Sequence, residues 1–353
     1  MMRTSSAVFL LLLMVSGPAY AGTEIIAPGN ITGTGIDEVA AQFQKILDIN
    51  GPAIANAYAL ANVAGYPFGT AYLGDFPSFM LGISLNAGLA NMEALDKSKT
   101  VPQGEVPVGA LNPVIFFGIG LKNGYDFLGK FMIFSSGFYQ PPLNYSYAKL
   151  TKLNLLSLGG KLRKNYVEKK TILPGLLEFG GVTFSLGADL IYGIIGVEGE
   201  YDYAMKNVEV DPPGLPPPLA VNLDFKPNYS ASVGWFITSV TGEALAYMHV
   251  FWIFSVYTGF GLTVQYGFFS FKLDAGGQVT TDDITYITAK GDNIVAPNIG
   301  IQSHNSYNPY FIMPEYIVGF DINLYLIRLS FETMVNLRNR KDVNLQVGLR
   351  FQL

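Results

Sequence analysis

Two histidines are the only imidazoles in the chain, and each sits where chemistry could be arranged. His304, in "IQSHNSYNP", is flanked by Ser303 and Ser306. A serine next to a general base is the beginning of a hydrolytic site, but only when nucleophile, base and an orienting group come within hydrogen-bond reach. Adjacency along the chain does not supply that geometry, so His304 is first read as a polar loop residue and no catalytic residue is assigned. His249 lies in "AYMHVFW" at an expected strand end. No metal constellation, phosphate loop or nucleotide motif stands out, and no cofactor is expected.

The second set of reactive side chains is charged and evenly phased. Lys130, Lys161, Arg163, Asp189, Asp321, Arg328, Glu332 and Arg350, with Lys122, each fall in the polar register of an alternating segment. None shares the register of the apolar residues. Their neighbours are mostly Gly, Ser and Asn, so the expected chemistry is ion pairing in a confined interior.

The elements that would position them follow from the period. "SFMLGISLNAGLANM" sets Phe79, Leu81, Ile83, Leu85 and Leu89 against Ser78, Gly82, Ser84, Asn86 and Gly88. Residues 182 to 194 set Phe184, Leu186 and Leu190 against Thr183, Ser185, Gly187 and Asp189. "DVNLQVGLRFQL" sets Val343, Leu345, Val347, Leu349 and Phe351 against Asn344, Gln346, Gly348 and Arg350. Similar alternation recurs near 111–122, 126–138, 153–164, 250–264, 315–324 and 327–335.

A period of two means strands with one oily and one wet face. Each runs about ten residues, the length a tilted strand needs to cross hydrocarbon, whereas strands elsewhere average about five or six. An outward lysine or arginine near midplane would cost about 2 to 4 kcal/mol, so the segregation of charge matters. The expected fold is all-β: a transmembrane antiparallel β-barrel of about 10 to 14 strands, closed by its last strand so that no edge amides are left in lipid.

Composition agrees. Of 353 residues, 50% are hydrophobic, 14% aromatic and only 14% charged, with 39 glycines and no cysteine. The N-terminus reads as a signal peptide over residues 1–21, with Arg3, an apolar run from Ala7 to Val15 and a cleavage site at Ala19-Tyr20-Ala21. Its removal takes away one arginine and no acid, so −5 becomes −6. A mildly acidic chain gives no electrostatic case for nucleic acid. Beyond the leader no apolar run of about 18 residues occurs, so no transmembrane helix is expected.

One helical region precedes the strands. Ile36, Val39, Phe43, Ile46 and Leu47 share a helical face, Asn50-Gly51 is expected to end that helix, and Pro52 to open a second one reaching about Val63. Residues 22–65 are expected to be a plug entering the barrel, which would occupy 66–353. Long outside loops are expected at 92–109, 139–151, 201–218, 276–312 and 337–341. Inside turns are expected at 123–125, 165–181, 238–248 and near Tyr325.

A signal peptide, a helical N-terminal segment, glycine-rich strands and a short closing hairpin resemble the long-chain fatty-acid transporter (FadL-like) class. "HVFWIFSVYTGFGL" and the ending "YIVGFDINLYLIRLSFETMVN…VNLQVGLRFQL" are similar to an uncharacterised family of bacterial outer-membrane barrels. The Asn-Pro-Ala signature of fatty-acid transporters is absent; "ANAYALANVAGYPFGTAY" stands in its place, and no ligand residue is carried over. The resemblance implies passive, porin-like transport of small hydrophobic or amphipathic molecules across the bacterial outer membrane. The implied partners are membrane lipids, a hydrophobic solute and the outer-membrane assembly machinery. A structural or adhesive barrel with a blocked lumen is the second expectation, and an outer-membrane lipid hydrolase the third.

Overall fold

A computed structural model describes residues 22–26, 34–66, 73, 76–92, 106–135, 144–145, 148–167, 170–200, 203–210, 219–251, 253–283, 286–287, 291 and 293–352. The leader expected at 1–21 lies outside these.

Among the described residues one long α-helix and fifteen strands follow in order: β1 (Gly22–Ile26), α1 (Thr34–Val63), β2 (Phe79–Met92), β3 (Val106–Gly120), β4 (Tyr125–Ser135), β5 (Asn144–Tyr145), β6 (Ala148–Asn165) and β7 (Lys170–Leu173). Then come β8 (Leu177–Glu200), β9 (Tyr203–Val210), β10 (Leu219–Val250), β11 (Phe254–Thr280), β12 (Ile294–Tyr307), β13 (Ile312–Leu324), β14 (Ile327–Asn336) and β15 (Val343–Gln352).

Among the described residues ten of these strands pair antiparallel in a closed ring, β2-β3-β4-β6-β8-β10-β11-β13-β14-β15 and back to β2. The last strand makes the closure, with Val343 opposite Leu89 and Gln352 opposite Met80. Its regular alternation is thus explained by two partners, one on each edge.

The ring is inside-out relative to a water-soluble core. Leu85 and Leu111 are 51% and 59% exposed, while Asn86 and Asn112, one position along, are fully buried. Alternation makes this unavoidable: whichever face holds the asparagines must turn the leucines the other way.

β8, β10 and β11 run 24, 32 and 27 residues, against ten for β14 and β15. Their far ends continue past the ring as a sheet. There β12 takes the edge of β11 that β13 holds lower down, β1 adds to β12, and β9 adds to β10.

Two expected connections are corrected by these lengths. Residues 238–248 form no turn but continue β10, and the reversal falls after Val250. Residues 276–312 are no single loop, because β12 lies within them. Within 165–181, β7 pairs back on β8, which accounts for the length of that connection.

The expected pair of helices is one helix with Pro52 inside it. Asn50-Gly51 does not end it because the turns just before the proline are fastened to β12. Gln44 Nε2 donates to Asp48 Oδ1 at 2.8 Å and to Asn305 Oδ1 at 2.8 Å, and the Tyr307 hydroxyl donates to Asp48 at 3.0 Å. Gly51 packs so closely under the Tyr307 ring that a Cβ would overlap it. The side chains of Ile36, Val39, Phe43, Ile46 and Leu47 lie outside the described ones.

The second half of α1 lies within the ring, touching β2, β3, β8, β10, β11 and β15 as well as β12. Ala55, Ala57, Ala59, Leu60, Ala61, Val63 and Ala64 are all fully buried there. Alanine keeps this helix thin, and at Gly88 the wall has no side chain, so strand and helix backbones meet at the Ala57 carbonyl.

Candidate functional site

The site forms where α1 ends. A helix C-terminus leaves carbonyls unpaired and carries partial negative charge. Lys130, inward on β4, answers both: its ammonium donates to the carbonyls of Asn62 and Ala64, the latter at 2.6 Å. The same ammonium lies 2.9 Å from Asp189 Oδ1 on β8.

Just past the helix, the Tyr66 hydroxyl donates to Asp189 Oδ1 at 2.6 Å. Two ammonium groups lie over its ring, Lys130 at 4.5 Å and Lys161 at 4.4 Å from the centroid. Lys161 in turn pairs with Glu243 at 2.6 Å, and Ser185 donates to the other oxygen of Glu243 at 2.8 Å. Opposite, Gln346 on β15 reads the backbone of the same turn, accepting from Gly65 N at 2.9 Å and donating to Tyr66 O at 2.7 Å.

The remaining wall contacts with α1 are also polar. Asn112 donates to Ala61 O at 2.9 Å, and Asn62 donates to Ser239 Oγ at 3.1 Å. Below the helix end a buried apolar cluster joins Leu60, Val63 and Tyr66 to Met80, Phe116, Leu128, Tyr257 and Met313. The interior is packed at this level, with Lys130, Lys161, Asp189 and Glu243 all at most 4% exposed.

Nearer the other end, Arg163 pairs with Asp126 at 2.7 Å, and Asp126 also accepts from Leu73 N at 3.2 Å. Arg350 pairs with Asp321 at 2.5 Å and donates to Ser330 at 3.3 Å. Glu332 accepts from the Tyr257 hydroxyl at 2.9 Å. Arg328 faces Arg350 across the β14–β15 register and is half-buried.

By their closest hydrogen bonds and ion pairs, the expected residues gather in three groups. Lys130, Lys161 and Asp189 surround Tyr66; Arg163 has its own partner; Asp321 and Arg350 pair beside Arg328, with Glu332 tied to Tyr257. Lys122 leaves the set, because it is exposed in the short 3-10 turn Lys122–Gly124. Asp126, Glu243, Glu315, Tyr66 and Gln346 were not among the expected site residues. Carrying the alternation of β10 on through Ser239 and Thr241 would have placed Glu243 inward.

The histidine chemistry does not assemble. Ser303 and His304 are neighbours in β12, not in a loop; Ser303 is buried on one face and His304 exposed on the other. Ser303 accepts a hydrogen bond from Asn305 at 2.7 Å instead. His249 Nδ1 lies 2.8 Å from Ser255 Oγ, but Ser255 is fully buried. Among the described residues no group of three or more His, Asp or Glu is placed to hold a metal ion.

The Lsa36-like family matches residues 34–353, taking in α1 and the whole ring. The chain belongs to the Lsa36-like family. No curated protein matches it significantly. Among solved structures it is similar to the Ralstonia pickettii toluene transporter TbuX, at 10% identity over 86% of this chain and 98% of that one, with a TM-score of 0.26. The P. putida toluene transporter TodX aligns at 8% identity over 78% of this chain and 90% of that one, TM-score 0.26. The translocator domain of the Neisseria meningitidis autotransporter NalP aligns at 7% identity over 92% and 100%, TM-score 0.24.

Proposed function

We propose that this member of the Lsa36-like family is an outer-membrane β-barrel plugged by its own N-terminal helix, and that displacing the plug lets small hydrophobic or amphipathic molecules pass without energy input. Exposed apolar side chains all round the ring support the membrane reading, since water would penalise them and lipid would not. An apolar outer groove of about 720 Å³ along Val256, Val318, Phe320, Leu345 and Val347 suits acyl chains.

The observation that carries gating is the polar character of the contact between plug and wall. Lys130, Asn112 and Gln346 all grip plug backbone, and the wall facing α1 adds Asn86, Ser157 and Ser239. A permanently dry core would be at least as stable with apolar residues there. A surface that must be wetted when the plug leaves needs polar ones.

A second reading, a closed barrel acting through its outer surface, is favoured by the extension of β8, β10 and β11 beyond the ring. Planar-bilayer conductance separates the two. Deletion of residues 22–64, and separately the pair Lys130→Met with Gln346→Ala, should raise conductance over the intact chain and speed entry of a fluorescent naphthylamine. Silent bilayers from both variants, folded by heat-dependent gel mobility, would leave only the closed barrel.

A further inference from the structure

The outward face of the long strands is sorted into rows, because paired strands hold their residues in register. One row is aromatic and apolar: Leu156, Tyr192, Phe236 and Phe268. Two residues further from the ring comes a row of mostly small side chains, among them Asn154, Gly234, Ser270 and Ser306. Two further still, Lys152, Ser232, Lys272 and His304 line up, the lysines and histidine exposed.

Beyond the basic row lies a groove of about 640 Å³ bordered by polar side chains. Lys149, Glu198, Ser230, Asp274 and Gln302 form one side, and Gly276 and Gly300 lower its floor. At about 3.3 Å per residue, the basic row stands about 13 Å along the strand from the aromatic row. Allowing for a strand tilt of about 40°, that is about 10 Å above the edge of the hydrocarbon, within reach of the headgroup layer for a long lysine side chain.

We propose that this face seats the phosphorylated sugar headgroup of an outer-leaflet glycolipid, with Lys152, Lys272 and His304 on its phosphates and the groove on its sugar hydroxyls. The proposal rests on the membrane reading above. The order of the rows selects the occupant. A simple phospholipid ends near its phosphate and would leave the groove empty, whereas Glu198 and Asp274 repel a further phosphate yet accept hydrogen bonds from hydroxyls. His304, which lacks a catalytic partner, has a role here as one of three cationic or hydrogen-bonding groups in a line.

The test uses the full chain in detergent micelles and native mass spectrometry with three probes: bisphosphorylated lipid A, the same lipid after phosphatase treatment, and phosphatidylglycerol. Wild-type protein should retain the bisphosphorylated lipid and lose most of that retention with the other two. Lys152→Gln with Lys272→Gln should weaken retention by about thirtyfold, as expected for two lysines at an anionic surface, and Lys122→Gln should leave it unchanged. Glu198→Gln with Asp274→Asn should weaken lipid A but not phosphatidylglycerol. Equal retention of lipid A and phosphatidylglycerol, or no loss in the lysine variant, overturns the proposal. Should that double variant not fold, Lys272→Gln alone gives the same reading. Failure of the membrane reading would look different: the wild-type chain would stay soluble without detergent and show no heat-dependent gel mobility.

Discussion

Lys130 and Asp189 meet 2.9 Å apart with neither side chain reaching solvent. Each also serves α1: the lysine caps the helix end and the aspartate accepts from Tyr66. Removing one partner leaves the other charged, buried and unmatched, at a cost of about 3 to 5 kcal/mol. Asp189→Ala should lower stability by that order in guanidinium unfolding from micelles. The pair Lys130→Met with Asp189→Leu should lose less than the sum of the single changes, though not recover fully, since the Asn62 and Ala64 carbonyls stay uncapped. Neutral behaviour of Asp189→Ala would refute the buried pair.

Tyr66 offers a graded probe of the same latch. Tyr66→Phe removes only the 2.6 Å bond to Asp189, worth about 1.5 to 3 kcal/mol for a charged acceptor. Tyr66→Leu also removes the ring beneath two ammonium groups, each contact contributing about 0.5 to 2 kcal/mol. Protease clipping within 34–63 of the folded chain should therefore rise from wild type to Phe to Leu. The reverse order, or no trend, would mean that this turn does not hold the helix.

Much of this arrangement could be read from alternation alone, and the failures have a common cause. The closing strand, its partner and the inward position of Lys161, Arg163, Asp189 and Arg350 follow from a period of two, which the ring enforces on every residue. Glu243 was hidden because "TSVTGEA" looks like a turn: the interior of a ring uses the same Gly, Ser and Thr that reversals use. The single helix was hidden because Asn50-Gly51-Pro52 carries local stop signals that contacts of Asp48 and Gly51 with Tyr307 override. Tyr66 had no signal, since its importance comes from two lysines on other strands. Ser303 and His304, which carry no catalytic role in the sequence reading, are adjacent along the chain and lie on opposite faces of a strand, so adjacency alone carries no site.

Gly88 tests whether the helix needs the wall to be flat. A Cβ there would strike the Ala57 carbonyl, which is backbone and cannot swing aside. Gly88→Ala should cost about 1 to 3 kcal/mol and Gly88→Val more, with faster proteolysis of α1. Gly109 on the neighbouring strand is the control, because its added Cβ would meet only Leu89, at 3.4 Å. Gly109→Ala should leave both measurements near wild type; equal damage at the two positions would point to strand propensity rather than helix contact.

The turn joining β14 to β15 should respond to pH through Asp342. Its carboxyl is pushed up from 3.8 to about 6 by burial, while the Asn336 and Asn339 amides, donating at 3.3 and 2.9 Å, pull it back in part. For an acid raised in the folded state, the native chain holds its proton where the unfolded chain has lost it. Stability from this group is therefore greatest below about 4, declines as pH rises toward about 6, and is level above that. Asp342→Asn keeps a neutral side chain of the same shape and should remove the decline. Chemical unfolding of both proteins between pH 4 and 7 gives the difference directly. A wild-type midpoint that climbs relative to Asp342→Asn as pH rises to 6 would show that the amides, not burial, govern this carboxyl.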